Sequence, residues 1–167
     1  MVYYRDLEPS DVAAIPPELR KLAADVVAFA CEELRITPPM LFWFTQTTSD
    51  AKGCFSKPID ILGEANYLRQ IVRVKQTFDE RQIVETLSHE LRHLWQSSKG
   101  HVAALRAQVT DSDHARAEGD AEEYARGFAE RFKAGTPLDR PPAFGPGRDE
   151  LTRLTHELAA LKSAFVV

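Results

Sequence analysis

Cysteine is scarce in this sequence: Cys31 and Cys54 are the only two among 167 residues. Two thiols in a chain of this length build no disulfide framework, and neither has a second cysteine at zinc-ribbon spacing. Both are expected to be free thiols, buried or half-buried. Long apolar runs are missing as well. No window approaches the roughly 18 apolar residues of a membrane span. The opening residues, Met1-Val2-Tyr3-Tyr4-Arg5-Asp6-Leu7-Glu8, hold no basic stretch followed by an apolar run. The expectation is a cytoplasmic protein with no membrane partner. Nor is positive charge in excess. Lys and Arg number 21 against 25 Asp and Glu, a net charge of −4. That balance argues against a nucleic-acid partner, which usually needs a basic face.

What is present is an ordinary globular mix, with 44% hydrophobic and 28% charged residues. At this length one domain with a sizeable core is expected, so residues 1–167 read as a single α+β domain. Its elements are an N-terminal helix, a small twisted mixed sheet and two strong helices. A Pro/Gly-rich loop at 134–148 and a C-terminal helix at 149–164 are appended.

The first helix should run from Pro17 to Leu34. Leu19, Leu22, Ala23, Val26, Val27, Ala30 and Leu34 recur there at helical spacing, and Thr37-Pro38-Pro39 follows. Met40 to Gln46 is aromatic-rich and reads as a strand, with Phe42, Trp43 and Phe44 as sheet core. Gly53 to Leu62 is a weaker strand, interrupted by Pro58. Gly63-Glu64-Ala65-Asn66 reads as a turn. Leu68 to Lys75 holds the β-branched run Ile71-Val72-Arg73-Val74 and reads as a strand. The next helix has Asp79 as N-cap, Gln82 three residues on, and Phe78 with Ile83 as a hydrophobic staple. It should continue to about Gln96. The last strong helix spans about His114 to Lys133.

The chemistry lies in His89-Glu90-Leu91-Arg92-His93. Residues four apart share a helix face, so His89 and His93 can aim two imidazoles at one ion. Zinc accepts neutral imidazole, and a catalytic site needs a third protein ligand with room for water. Zinc acidifies that water, and Glu90 sits one position on, where a carboxylate can take the proton. The phase of the helix is informative. Ile83, Val84, Leu87, Leu91, Leu94 and Trp95 form one apolar arc, and both histidines fall well away from its centre. They are not core histidines. His156-Glu157 begins the same motif but lacks the second histidine.

For the third ligand, the later helix carries an inward stripe of Ala121, Tyr124, Ala125, Phe128, Ala129 and Phe132. Tyr124 belongs to that core stripe. Four acids lie near its start: Glu118, Asp120, Glu122 and Glu123. By helical phase Asp120 and Glu123 point outward, Glu122 is marginal, and Glu118 falls within the apolar arc. A carboxylate on a buried face must be protonated, paired or bound to metal. That singles out Glu118. The alternative is a core-edge Glu118 paired with Arg92 or Arg116. Glu122 is the fallback ligand, or an acceptor for a histidine N–H. His114, one turn before Glu118, is a further candidate ligand or a surface histidine. His101 could assist at an oxyanion.

The HELRH helix followed by a helical glutamate resembles zincin metallopeptidases of the gluzincin type. Glu118-Gly119-Asp120-Ala121-Glu122-Glu123-Tyr124-Ala125 is similar to the E-x-[ED]-A-[ND]-x-[FY]-A pattern of the ImmA/IrrE family of small phage and bacterial metallopeptidases. Glu122 stands where that family has Asn or Asp. The resemblance covers about residues 68 to 132. It implies a zincin fold, a Zn2+ cofactor held by His89, His93 and Glu118, Glu90 as the catalytic base, and a protein or peptide substrate. A strand-addition site for that peptide is expected along Ile71 to Lys75. The other reading is a zinc-containing regulatory or binding protein with this fold and little turnover.

Overall fold

Pro17 sits at the first position of the long helix, where its missing N–H costs nothing. In the computed structural model, which describes residues 2–49, 57–58, 62–101 and 111–145, that helix is α2, Pro17–Leu34. It follows β1, Val2–Asp6, and a short helix α1, Pro9–Ala14, neither of which the sequence pattern announced. The apolar stripe of α2 behaves as its spacing dictates: Leu19, Ala23, Val26, Val27, Ala30 and Leu34 are all buried. Its C-cap, Arg35, takes the left-handed conformation, with its N–H turned back to the carbonyls of Cys31 and Glu32.

The chain then enters the sheet. β2 is Met40–Ser49, β3 is the two-residue Lys57–Pro58, β4 is Gly63–Asn66 and β5 is Ile71–Lys75. The strand order is β1-β2-β5-β4, with β3 off this path against β2. β1 and β2 are antiparallel, β2 and β5 parallel, β5 and β4 antiparallel, so the sheet is mixed. Val72 and Val74 join the helices in the core. Arg73, between them, points to the other face, where it pairs with Asp6 of β1 at 2.9 Å and with Glu64 of β4.

Two expectations fail here. Gly63 to Asn66 is a strand, because Gly63 serves close approach to a helix and not a reversal of the chain. The turn comes later, at residues 67–70, with Gln70 at φ 51°. β5 lies between β2 and β4, so the run from Ile71 to Lys75 has no free edge, and the outer strand is β4.

α3, Glu80–Ser98, carries the histidine motif. The Asp79 carboxylate accepts from the N–H groups of Arg81 and Gln82, as an N-cap should. The hydrophobic staple is absent, since Phe78 is 75% exposed. α3 packs against α2 and α4 and against β4 and β5. Being covered on several sides, it buries Thr86, Ser88, Arg92 and Gln96 in addition to its apolar arc.

α4, Asp111–Ala134, lies along α3. A buried acid pins its far end to α2. Glu33 accepts from the Tyr124 hydroxyl at 2.8 Å, from Arg131 Nε at 2.7 Å and from the Leu138 N–H at 3.1 Å. Burial and the Glu33 charge push the Tyr124 hydroxyl pKa well above its ordinary range. The C-terminal helix expected at 149–164, and with it His156, lies outside the described residues, as does Cys54. Among the described residues, no helix is long and apolar enough to cross a membrane.

Candidate metal centre

His89 and His93 stand one turn apart on α3, and α4 brings Glu118 up to them. His89 Nε2 lies 3.2 Å from Glu118 Oε2 and His93 Nε2 lies 3.3 Å from Glu118 Oε1. The two imidazole Nε2 atoms are 3.0 Å apart. His89, His93 and Glu118 thus form a group that could hold a metal ion, all half-buried, with one donor atom each. The alternative pairing of Glu118 with Arg92 does not occur.

The remaining candidates lie further out. His114 is exposed, with Nδ1 3.6 Å from Glu118 Oε1. Glu122 is exposed on α4 and outside the three-residue group. His101 stacks on Phe144, its ring centroid 4.8 Å away.

Glu90 occupies the junction of α3 with β4. A Cβ on Gly63 would meet Thr86 Cγ2 at 2.6 Å and Glu90 Cγ at 2.7 Å. Only glycine lets the strand lie so close over the glutamate. Burial raises the Glu90 pKa above the usual carboxylate range, against the opposing pull of His93 and His89.

The electrostatics of the three donors favour positive charge between them. Burial disfavours a charged His93, but its hydrogen bond to Glu118 and the Glu90 and Glu118 charges outweigh this and raise its pKa to about 9. Burial would also raise Glu118. Hydrogen bonds from His89 and His93 prevail and hold its carboxyl well below the usual range.

Behind the histidines lies a buried polar network. His93 Nδ1 is 2.8 Å from Gln96 Oε1. Gln96 Nε2 donates to the Ala117 carbonyl at 2.8 Å and to Asp120 Oδ2 at 2.7 Å. Arg92 grips the Asp120 carboxylate from two nitrogens, Nε at 2.7 Å and Nη2 at 3.0 Å. The Arg92 guanidinium also stacks over Trp95, 3.7 Å from the ring centroid. Asp120 was expected to face outward and is instead buried, where its carboxylate meets Arg92 and Gln96 of α3.

The Pro/Gly-rich segment lies over this network. Arg92 Nη2 donates to the carbonyls of Pro142 and Ala143 at 3.0 and 3.3 Å, and Gly145 N–H reaches Asp120 Oδ1 at 3.3 Å. Phe144 is held by the His101 ring and by the Arg116 guanidinium, 4.7 Å from its centroid.

No protein-family model, no curated protein and no solved structure matches this chain. Its chemistry therefore rests on the geometry of these residues.

Proposed function

We propose that the protein is a zinc-dependent metallopeptidase in which Glu90 is the general base. The separations of the donor atoms carry this reading. A tetrahedral zinc with ligands at about 2.0–2.1 Å keeps its donors about 3.3 Å apart. The two imidazole Nε2 atoms here stand 3.0 Å apart, and each lies 3.2 or 3.3 Å from a different oxygen of Glu118, His89 from Oε2 and His93 from Oε1, so one ion is within reach of a donor atom from all three residues. Two imidazoles and one carboxylate are a catalytic zinc set, leaving room for further ligands.

When bound, zinc supplies Lewis acidity to water and to a scissile carbonyl. The chain supplies the proton traffic. Glu90 is held at the edge of the site with its proton affinity raised by burial. It accepts a proton from the attacking water and delivers it to the departing amine nitrogen, so the carboxylate ends as it began. An extended peptide would find a partner in β4, which carries Gly63 against Glu90 and, among the described residues, is the outer strand on its side of the sheet. The likeness of the HELRH and Glu118-Gly119-Asp120-Ala121 segments to ImmA/IrrE metallopeptidases supports the same conclusion.

Metal analysis of the purified protein together with Glu90→Gln tests it. One zinc per chain is expected, with zinc retained and peptide cleavage lost in the variant. The same donor set suits iron(II). Stoichiometric iron, no metal at all, or undiminished cleavage by Glu90→Gln would overturn the proposal.

A further inference from the structure

We propose that Gln96 is a positioning residue for His93, holding the ring so that Nε2, and not Nδ1, faces Glu118 and His89. The inference rests on the metal-site reading above, but its logic is one of donors and acceptors. A glutamine side chain has one accepting and one donating end. The end of Gln96 directed at α4 meets two groups, the Ala117 carbonyl and the Asp120 carboxylate. Both can only accept, since Asp120 is ion-paired with Arg92 and so carries its charge. That end must be the NH2. The other end is then the carbonyl oxygen, 2.8 Å from His93 Nδ1. Nδ1 must carry a proton to donate there, so the nitrogen that gives up its proton to a metal is Nε2.

The anchoring is rigid. Gln96 is 1% exposed and Asp120 7%. Asp120 is held by Arg92 from two nitrogens and by the Gly145 N–H. Gln96 is three residues after His93, so the same turn of α3 that carries the ligand carries its orienting acceptor. Its donating end is fixed across the interface by α4, the helix that carries Glu118. One amide therefore ties the orientation of His93 to the packing of the helix bearing Glu118.

Gln96→Met keeps nearly the same length and volume and removes all three side-chain hydrogen bonds. Zinc affinity is measured by competition with a chromophoric chelator, and folding by circular dichroism of the metal-free protein. Histidine nitrogen NMR reads the His93 tautomer. The expected result is a folded variant that binds zinc about 10- to 100-fold more weakly, the usual loss when a ligand's orienting partner is removed. Its cobalt-substituted form should show an altered visible spectrum, which a merely structural role would not produce. Unchanged affinity and an unchanged spectrum in a folded variant overturn the proposal. Should Gln96→Met fail to fold, the spectrum of the zinc-loaded wild type decides: a protonated Nδ1 in slow exchange supports the assignment and a bare Nδ1 refutes it. A wild-type protein that takes up no metal would sink the metal reading alone. In the metal-free protein, a slowly exchanging Nδ1 proton that exchanges fast in Gln96→Met would still show that Gln96 holds the ring, and fast exchange in the wild type would refute it.

Discussion

Gly63 and Glu90 meet across the α3–β4 junction with no room for a methyl group: a Cβ on the glycine would stand 2.7 Å from Glu90 Cγ. Gly63→Ala must therefore displace either the strand or both Glu90 and Thr86, whose Cγ2 would stand 2.6 Å from the new Cβ. Overpacking of this kind costs about 1–3 kcal/mol. Misplacing a reacting group by an ångström costs about 100-fold in rate. The variant should keep its metal, lose stability in a urea titration and lose most of its peptide cleavage. Cleavage at the wild-type rate would show that Glu90 does not act from this position.

Glu118→Gln removes the anionic donor but keeps its shape. Metal content, measured by mass spectrometry after dialysis, should fall to traces. His114→Ala should keep its metal, because His114 is exposed and 3.6 Å from the Glu118 carboxylate. Full metal retention in Glu118→Gln would remove that residue from the ligand set.

Asp120→Ala leaves the Arg92 charge buried without its partner. Removing one member of such a pair costs about 3–5 kcal/mol. Glu122→Ala, two positions on and exposed, should change stability by no more than about 0.5 kcal/mol. Denaturant midpoints of the two variants measure how strongly the two faces of α4 differ.

Burial raises the Cys31 thiol pKa from 9.0 to about 12. The folded chain then keeps a proton that the unfolded chain loses. Stability is unaffected below pH 9 and falls as pH rises above it, by about 1.4 kcal/mol per pH unit for this one group. Urea titrations between pH 8 and pH 10 should show Cys31→Ala declining less steeply than the wild type. A thiol reagent at pH 8 should leave Cys31 of the folded protein unmodified.

The three long helices were legible because each buries a stripe with a 3.6-residue period, and the stripe of α2 from Leu19 to Leu34 is buried as read except for Leu22, which is half-buried. Glu118 stood out as an acid within an apolar arc. Asp120 did not, although it follows the buried Ala117 by three residues and precedes the buried Tyr124 by four. The arc read from Ala121 to Phe132 left out Ala117, and the covered face of α4 extends past that arc to take in Asp120. Gln96 is three residues beyond His93, the one sequence signal it gave. Its other partners, Ala117 and Asp120, lie more than a helix away in the chain. Glu33 also sits at helical spacing from Val26 and Ala30, but Tyr124 and Arg131 are found only after folding. β4 was misread because glycine marks both turns and tight contacts, and only the neighbouring helix distinguishes the two.

The two buried acids have a joint consequence for helix registration. One turn along α4, about 5.4 Å, separates Glu118 from Glu122, so a slide of that length would exchange them at the histidines. Such a slide would tear Asp120 from Arg92 and Gln96 at one end and Tyr124 and Arg131 from Glu33 at the other. The pair works as a vernier with two fixed marks, and a single glutamate lines up with both imidazoles.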